Sequence, residues 1–320
     1  MLNMEILRKK EKLNPKDARK NRIVVLAVLG LTLLATGSVI LYRDRREIIG
    51  KFIGSETVVF KEKLLSELEP TPTPAHEKEI EEIKNLTANL KGAYGVFVQD
   101  LATGESYGLN AKEIFTAASL IKLPVLLTLY KEVEGGNLTL DTKYVLKAAD
   151  KRGGAGSIQY KPAGTVYTYR QMAQLMGKQS DNTAFNVFSN VLREEKIQMV
   201  VNDLGMKNTS FKDNKTTPED IGLFFYKFYT QNILIRDNRD ELLSFITDTI
   251  YEDRIPAGVP KGTKVAHKIG NEIGVISDAG IVFAKEPFVL AILSEGVIEK
   301  EATGVLPKIA GVVYRQRVGE

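Results

Sequence analysis

Ser119 and Lys122 stand three residues apart in Ala117-Ala118-Ser119-Leu120-Ile121-Lys122, and of the twelve serines in the 320-residue chain only Ser119 has a lysine at that spacing. On a helix, positions i and i+3 share a face, so hydroxyl and amine would meet as nucleophile and base. Lys122 is also the only charged residue between Thr116 and Tyr130. Its helix is therefore expected to be buried nearly all round. Burial disfavours the ammonium form and favours a neutral amine able to take the hydroxyl proton. Two more small groups follow: Ser180-Asp181-Asn182 ahead of a helical pattern, and Lys268-Ile269-Gly270 within the strand-like Lys-Val-Ala-His-Lys-Ile-Gly. Taken singly, each has a plainer reading. Ser119 can cap a core helix while Lys122 snorkels, Asp181 and Asn182 suit a helix start, and a lone strand lysine is usually solvated.

Other nucleophilic and metal chemistries find little support. Side chains alternate along a strand, so if Lys268 faces a cleft, His267 faces away from it, which argues against a serine–histidine triad. The only other histidine is His76, in a linker, and the chain has no cysteine. No metal site or cofactor is expected.

The elements that would position these groups can be read from periodicity. A charged helix is expected at 77–90, a strand at 94–99, and helices at 120–133, 169–177, 183–192, 196–204, 218–230 and 239–246. Strands return at 263–270, 276–283 and 288–293, before a final helix at 301–317. Short links between the late strands imply antiparallel hairpins. The expected fold is α/β of the α+β type: an antiparallel sheet built from both ends of the chain, flanked by the terminal helices, with an inserted all-helical subdomain. A cleft between the two parts is the natural site.

Charge and hydropathy divide the rest. The net charge is +4, but residues 1–22 hold eight Lys/Arg against three acids, so the remainder sums to −1 and offers no basic face for nucleic acid. Residues 23–42 form an uncharged run of twenty, long enough for a transmembrane helix. The basic flank on its N-terminal side sets that end in the cytoplasm. A cleaved signal peptide is the alternative, since Ala35-Thr36-Gly37 resembles a cleavage site. The expected layout is a basic cytoplasmic tail (1–22), a membrane helix (23–42), a stalk ending in Pro70-Thr71-Pro72-Thr73-Pro74 (43–76) and a folded domain (77–320). That domain is expected extracellular or periplasmic, on a single-pass membrane protein.

Together and in order, the three groups resemble the S-x-x-K, S-D-N and K-T-G series of class A β-lactamases and penicillin-binding proteins. Linking stretches extend the likeness over roughly residues 78–320, among them Pro162-Ala163-Gly164, Leu204-Gly205-Met206, Thr216-Thr217-Pro218 and Asp278-Ala279-Gly280. The resemblance implies that Ser119 attacks a carbonyl, Lys122 activates it and Ser180 relays a proton to the leaving nitrogen. Asn182 would hold the substrate amide, and Lys268 would supply positive charge on the strand of Gly270. The backbone N–H groups of Ser119 and Asn271 would form an oxyanion hole, each donor worth roughly 3–4 kcal/mol in the transition state.

Two departures stand out. Family β-lactamases place a water-activating glutamate in a loop between the second and third motifs. Here residues 205–217 are shorter and hold one acid, Asp213. Ile269 stands where the family has Thr or Ser, removing a hydrogen bond to the substrate carboxylate worth roughly 1.5–3 kcal/mol. The resemblance thus implies a serine hydrolase acting on β-lactams or D-Ala-D-Ala-type peptidoglycan stem peptides, favoured as peptidase-like with slow deacylation. A true β-lactamase and a non-turnover sensor of penicillin or wall peptides are the alternatives.

Overall fold

The computed structural model describes residues 74–318. The expected tail (1–22) and membrane helix (23–42) lie outside the described residues, as does the stalk except for its last three. Among the described residues no helix is long and apolar enough to cross a membrane. The membrane-anchored form, the N-terminal transmembrane helix in the fold, the membrane as partner and the single-pass localisation are accordingly corrected to what the described residues show: an α/β unit in which no helix is long and apolar enough to cross a membrane.

That unit is built on a five-stranded antiparallel sheet. Its strands are β1 (Ala93–Asp100), β2 (Ser106–Leu109), β7 (Lys264–Glu272), β8 (Val275–Phe283) and β9 (Phe288–Glu295), in the order β2-β1-β9-β8-β7. Two-residue alternation gives the sheet two apolar faces. Val96, Val98, Leu290 and Ile292 pack outward beneath α1 (Pro74–Thr87), α8 (Ile255–Gly258) and α9 (Glu299–Val318). Phe97, Val289, Ala291 and Leu293 join the other core, which the helical subdomain covers.

The subdomain holds α2 (Lys122–Glu134), α3 (Tyr169–Lys178), α4 (Asn182–Leu192), α5 (Glu194–Asp203), α6 (Pro218–Thr230) and α7 (Arg236–Phe245). Residues 122–130 of α2 are all buried, so this helix is the subdomain's axis. A proline at its third position is tolerated because the first turn needs no backbone donors there. Strand pairs of two or three residues, β3 (Phe115–Thr116) with β6 (Lys215–Thr216) and β4 (Lys143–Val145) with β5 (Val166–Thr168), tie the subdomain's loops together. Such pairs and the four-residue α8 carry too little periodicity to be read from sequence.

Differences from expectation lie at element ends. The first helix begins at Pro74, inside the expected stalk, because proline suits a first helical position. The helix expected from 120 instead opens with a 3-10 turn, Ala118–Ile121, before α2.

One close approach welds sheet to subdomain. A Cβ added to Gly222 of α6 would fall 2.1 Å from Cδ1 of buried Phe97. On an exposed helix Gly→Ala stabilises by up to about 1 kcal/mol; here overpacking reverses the sign. Gly222→Ala is expected to lose roughly 1–3 kcal/mol, visible as a lower denaturation midpoint. An unchanged or raised midpoint would show that the contact is slack.

Candidate active site

Between the edge strand β7 and the subdomain lies a cleft of about 680 Å³, lined among others by Ser119, Lys122, Ser180, Asn182 and Asn271. The 3-10 turn carries Ser119 and delivers Lys122 as the first residue of α2. Ala118, just before Ser119, has φ +46°, and Ser180 has φ +54°. Left-handed backbone at non-glycine residues costs of order 1–3 kcal/mol and persists only where the surroundings enforce it. Here they do. Ala117 N–H donates to Asn214 O (2.9 Å), and Asn182 N–H donates to Ala155 O (3.0 Å).

Lys122 is the hub. Its Nζ lies 2.9 Å from Ser119 Oγ, 3.0 Å from Ser180 Oγ, 2.7 Å from Asn182 Oδ1 and 2.6 Å from Ser180 O. With 2% exposure the amine is nearly dehydrated. Burial lowers its pKa to about 7, and the Asp181 carboxylate opposes only part of that shift. A neutral lysine near pH 7 can accept a proton from either serine.

Asp181 serves structure. Its Oδ1 accepts from Ala184 N (2.9 Å), capping α4, and its Oδ2 accepts from Ile158 N (2.9 Å), pinning the loop across the cleft. The capping reading thus holds for Asp181. It does not hold for Ser119, since no side chain caps the 3-10 turn. Asn182 is engaged at both ends, accepting from Lys122 and donating through Nδ2 to Gly153 O (2.8 Å). One amide hydrogen remains for another partner.

Lys268 and Gly270 sit differently from a cleft-lining expectation. Lys268 is 2% exposed and is not among the side chains that line the cleft; its Nζ donates to Ile269 O at 3.3 Å. Burial, then repulsion from Lys122, holds its pKa well below the lysine range. Gly270 is the contact between β7 and the Ser119 turn: an added Cβ would stand 2.9 Å from Ala117 O. Asn271 lies on the cleft wall. His267 N–H donates outward from the sheet edge to Ile246 O (2.7 Å). Two residues and four residues on, strand alternation turns the N–H groups of Ile269 and Asn271 toward the same free edge.

Sequence reasoning missed Arg254 and Tyr251. Arg254, 4% exposed, donates to Ser277 O (2.7 Å) and Asn271 Oδ1 (2.7 Å), bracing the cleft end of β7; Tyr251 lines the cleft beside it. Single residues in a loop carry no periodic or spacing signal. Asp213, the one acid of the short loop, is exposed, accepts from Ser210 Oγ (2.7 Å) and does not line the cleft. The carboxylates that do line it are Glu194 and Glu272, both on its exposed rim.

Comparison with known proteins finds relatives of this chain. The family model described as "Beta-lactamase enzyme family" matches residues 78–316. Beta-lactamase 3 of Bacillus cereus is 26% identical over 222 residues, covering 62% of this chain and 68% of that protein. The solved structure of PBP-A is 27% identical, with a TM-score of 0.71 over 76% of this chain and 97% of its own. A PBP-A point variant, solved as an acyl-enzyme complex with penicillin G, is 26% identical with a TM-score of 0.72, over 78% of this chain and all of that one.

The packing of Gly270 yields a direct check. In Gly270→Ala the methyl group must displace the Ala117 carbonyl, and with it the Ser119 turn. The expected result is a folded protein with a lowered melting temperature and displaced backbone NMR signals at residues 117–119. Wild-type stability and signals would mean that the turn tolerates the shift.

Proposed function

The chain belongs to the β-lactamase enzyme family, and we propose that it is a serine hydrolase that forms an acyl-enzyme on Ser119 with β-lactams or D-Ala-D-Ala-type stem peptides, and clears that acyl-enzyme slowly. One observation carries the reading: a single dehydrated amine, Lys122 Nζ, lies within hydrogen-bond distance of two serine hydroxyls, at 2.9 and 3.0 Å.

The steps follow from that placement. Ser119 Oγ attacks the substrate carbonyl carbon while its proton passes to neutral Lys122. The carbonyl π pair moves onto oxygen, and the oxyanion is received by the N–H groups of Ser119 and Asn271. Ser180 Oγ gives its proton to the leaving nitrogen as the C–N bond breaks, and takes the proton that Lys122 holds. The products are an ester on Ser119, a free amine and a neutral Lys122. Asn182 positions the substrate amide with its remaining hydrogen. Arg254, behind Asn271, acts as a cation at second remove. The acyl-enzyme with penicillin G named for the PBP-A variant supports penicillin as a suitable acylating ligand.

Deacylation needs a water and a base on the open side of the ester. The short 205–217 loop turns Asp213 outward, and the two cleft carboxylates are on the rim. This favours accumulation of the ester. The name of the Bacillus cereus relative, a β-lactamase, favours turnover instead. The same assay decides both.

With a fluorescent penicillin, the protein is expected to take up one label on Ser119 and to retain it, with little hydrolysis of a chromogenic β-lactam. Ser119→Ala should abolish labelling, and Lys122→Ala should slow it about 10²–10⁴-fold. The reactive form of Lys122 is the deprotonated one, so the labelling rate should rise as pH increases through about 7. Many turnovers of the chromogenic substrate would establish the β-lactamase reading. Absence of labelling would remove both.

A further inference from the structure

On the face of β7 opposite Lys268, His267 is wholly buried between two carboxylates. Its Nδ1 lies 2.8 Å from Asp278 Oδ1, and its Nε2 lies 3.3 Å from both Glu252 Oε1 and Thr249 Oγ1. A neutral imidazole has one N–H and can donate to one carboxylate only. An imidazolium donates to both and balances part of their charge. Burial by itself lowers the pKa, but Asp278 and then Glu252 raise it to about 9. The surrounding charged groups are these two carboxylates, with Arg254 and Lys268 acting on the neighbourhood of Asp278.

Each carboxylate leads to the cleft. Asp278 Oδ2 accepts from Ile255 N (3.0 Å), which fixes the adjacent Arg254 and so its grip on Asn271 Oδ1. Glu252 Oε1 accepts from Thr249 N (2.6 Å) and Thr249 Oγ1 (3.0 Å), closing the loop that presents Tyr251 to the cleft. We infer that His267, as an imidazolium, is a positioning residue that clamps Glu252 and Asp278 from behind β7 and thereby holds Tyr251, Arg254 and Asn271 in the arrangement that accepts the acyl group. The inference rests on the acylation reading above. It adds a second titration to the site, opposite in sign to that of Lys122. For a histidine raised in the folded state, the contribution to stability is complete below about pH 6.5 and is lost as pH rises through about 9.

The test follows penicillin labelling of the full chain between pH 6 and 10, beside NMR of the imidazole rings, of which the sequence has two. In the wild type, labelling should rise through about pH 7 and fall through about pH 9. His267→Gln should lose the falling limb and label more slowly at pH 7.5, on the order of tenfold. Glu252→Gln should move the falling limb to lower pH. A falling limb near pH 9 that survives in His267→Gln, or wild-type rates in that variant, overturns the inference. Should His267→Gln fail to fold, the NMR titration decides. His267 should be doubly protonated at pH 7.5, and signals of the Tyr251 ring and Asn271 side chain should shift with its midpoint. A neutral ring at pH 7.5, or cleft signals indifferent to its titration, overturns the inference. If the wild type takes no label at any pH, the acylation reading fails, while the NMR arms still judge the clamp.

Discussion

The burial of one amine governs this structure. Lys122 at 2% exposure must either lose its proton or find partners, and it does both: its pKa falls to about 7, and four oxygens surround Nζ. A lysine depressed from an unfolded value of about 10.4 binds protons more readily when unfolded, so folding is opposed by several kcal/mol at neutral pH. The rest of the fold must supply that stability. It does so through two apolar cores on the faces of one sheet, with α2 buried along its first two turns.

The same burial explains the local strain. To bring Ser119 and Ser180 to one amine, the backbone turns left-handed at Ala118 and at Ser180. Main-chain hydrogen bonds to Asn214 and from Asn182 hold those turns, and Gly270 lets β7 approach the first of them. Asp181 anchors the second as the N-cap of α4. These residues differ in role from the reactive trio, but each limits where the trio can go. Precision of this kind is what converts neighbouring polar groups into a catalytic arrangement.

Much of this was legible in the sequence, and for local reasons. Helices with a 3.6-residue apolar period and strands with alternating apolar residues left their pattern in the chain, so α3, α6 and β8 fall within a residue of expectation. The Ser119–Lys122 pairing was legible because it is itself a spacing. What escaped was non-local. Nothing near Arg254 announces that it braces Asn271, and Lys268 reads as a strand position without showing that it is buried. Alternation correctly turned His267 away from Lys268, yet could not reveal the two carboxylates that meet it there. The apolar run at 23–42 lies outside the described residues, among which no helix is long and apolar enough to cross a membrane.

The proposed chemistry depends on Lys122 being a base near neutral pH. The most direct measurement is the titration of its side chain in the full chain, by NMR of isotope-labelled lysine, with Lys122→Arg to assign the signal. The structure predicts a midpoint near 7. A midpoint in the ordinary lysine range, about 10.4, would leave Ser119 without its base and rule out Lys122 as the proton acceptor.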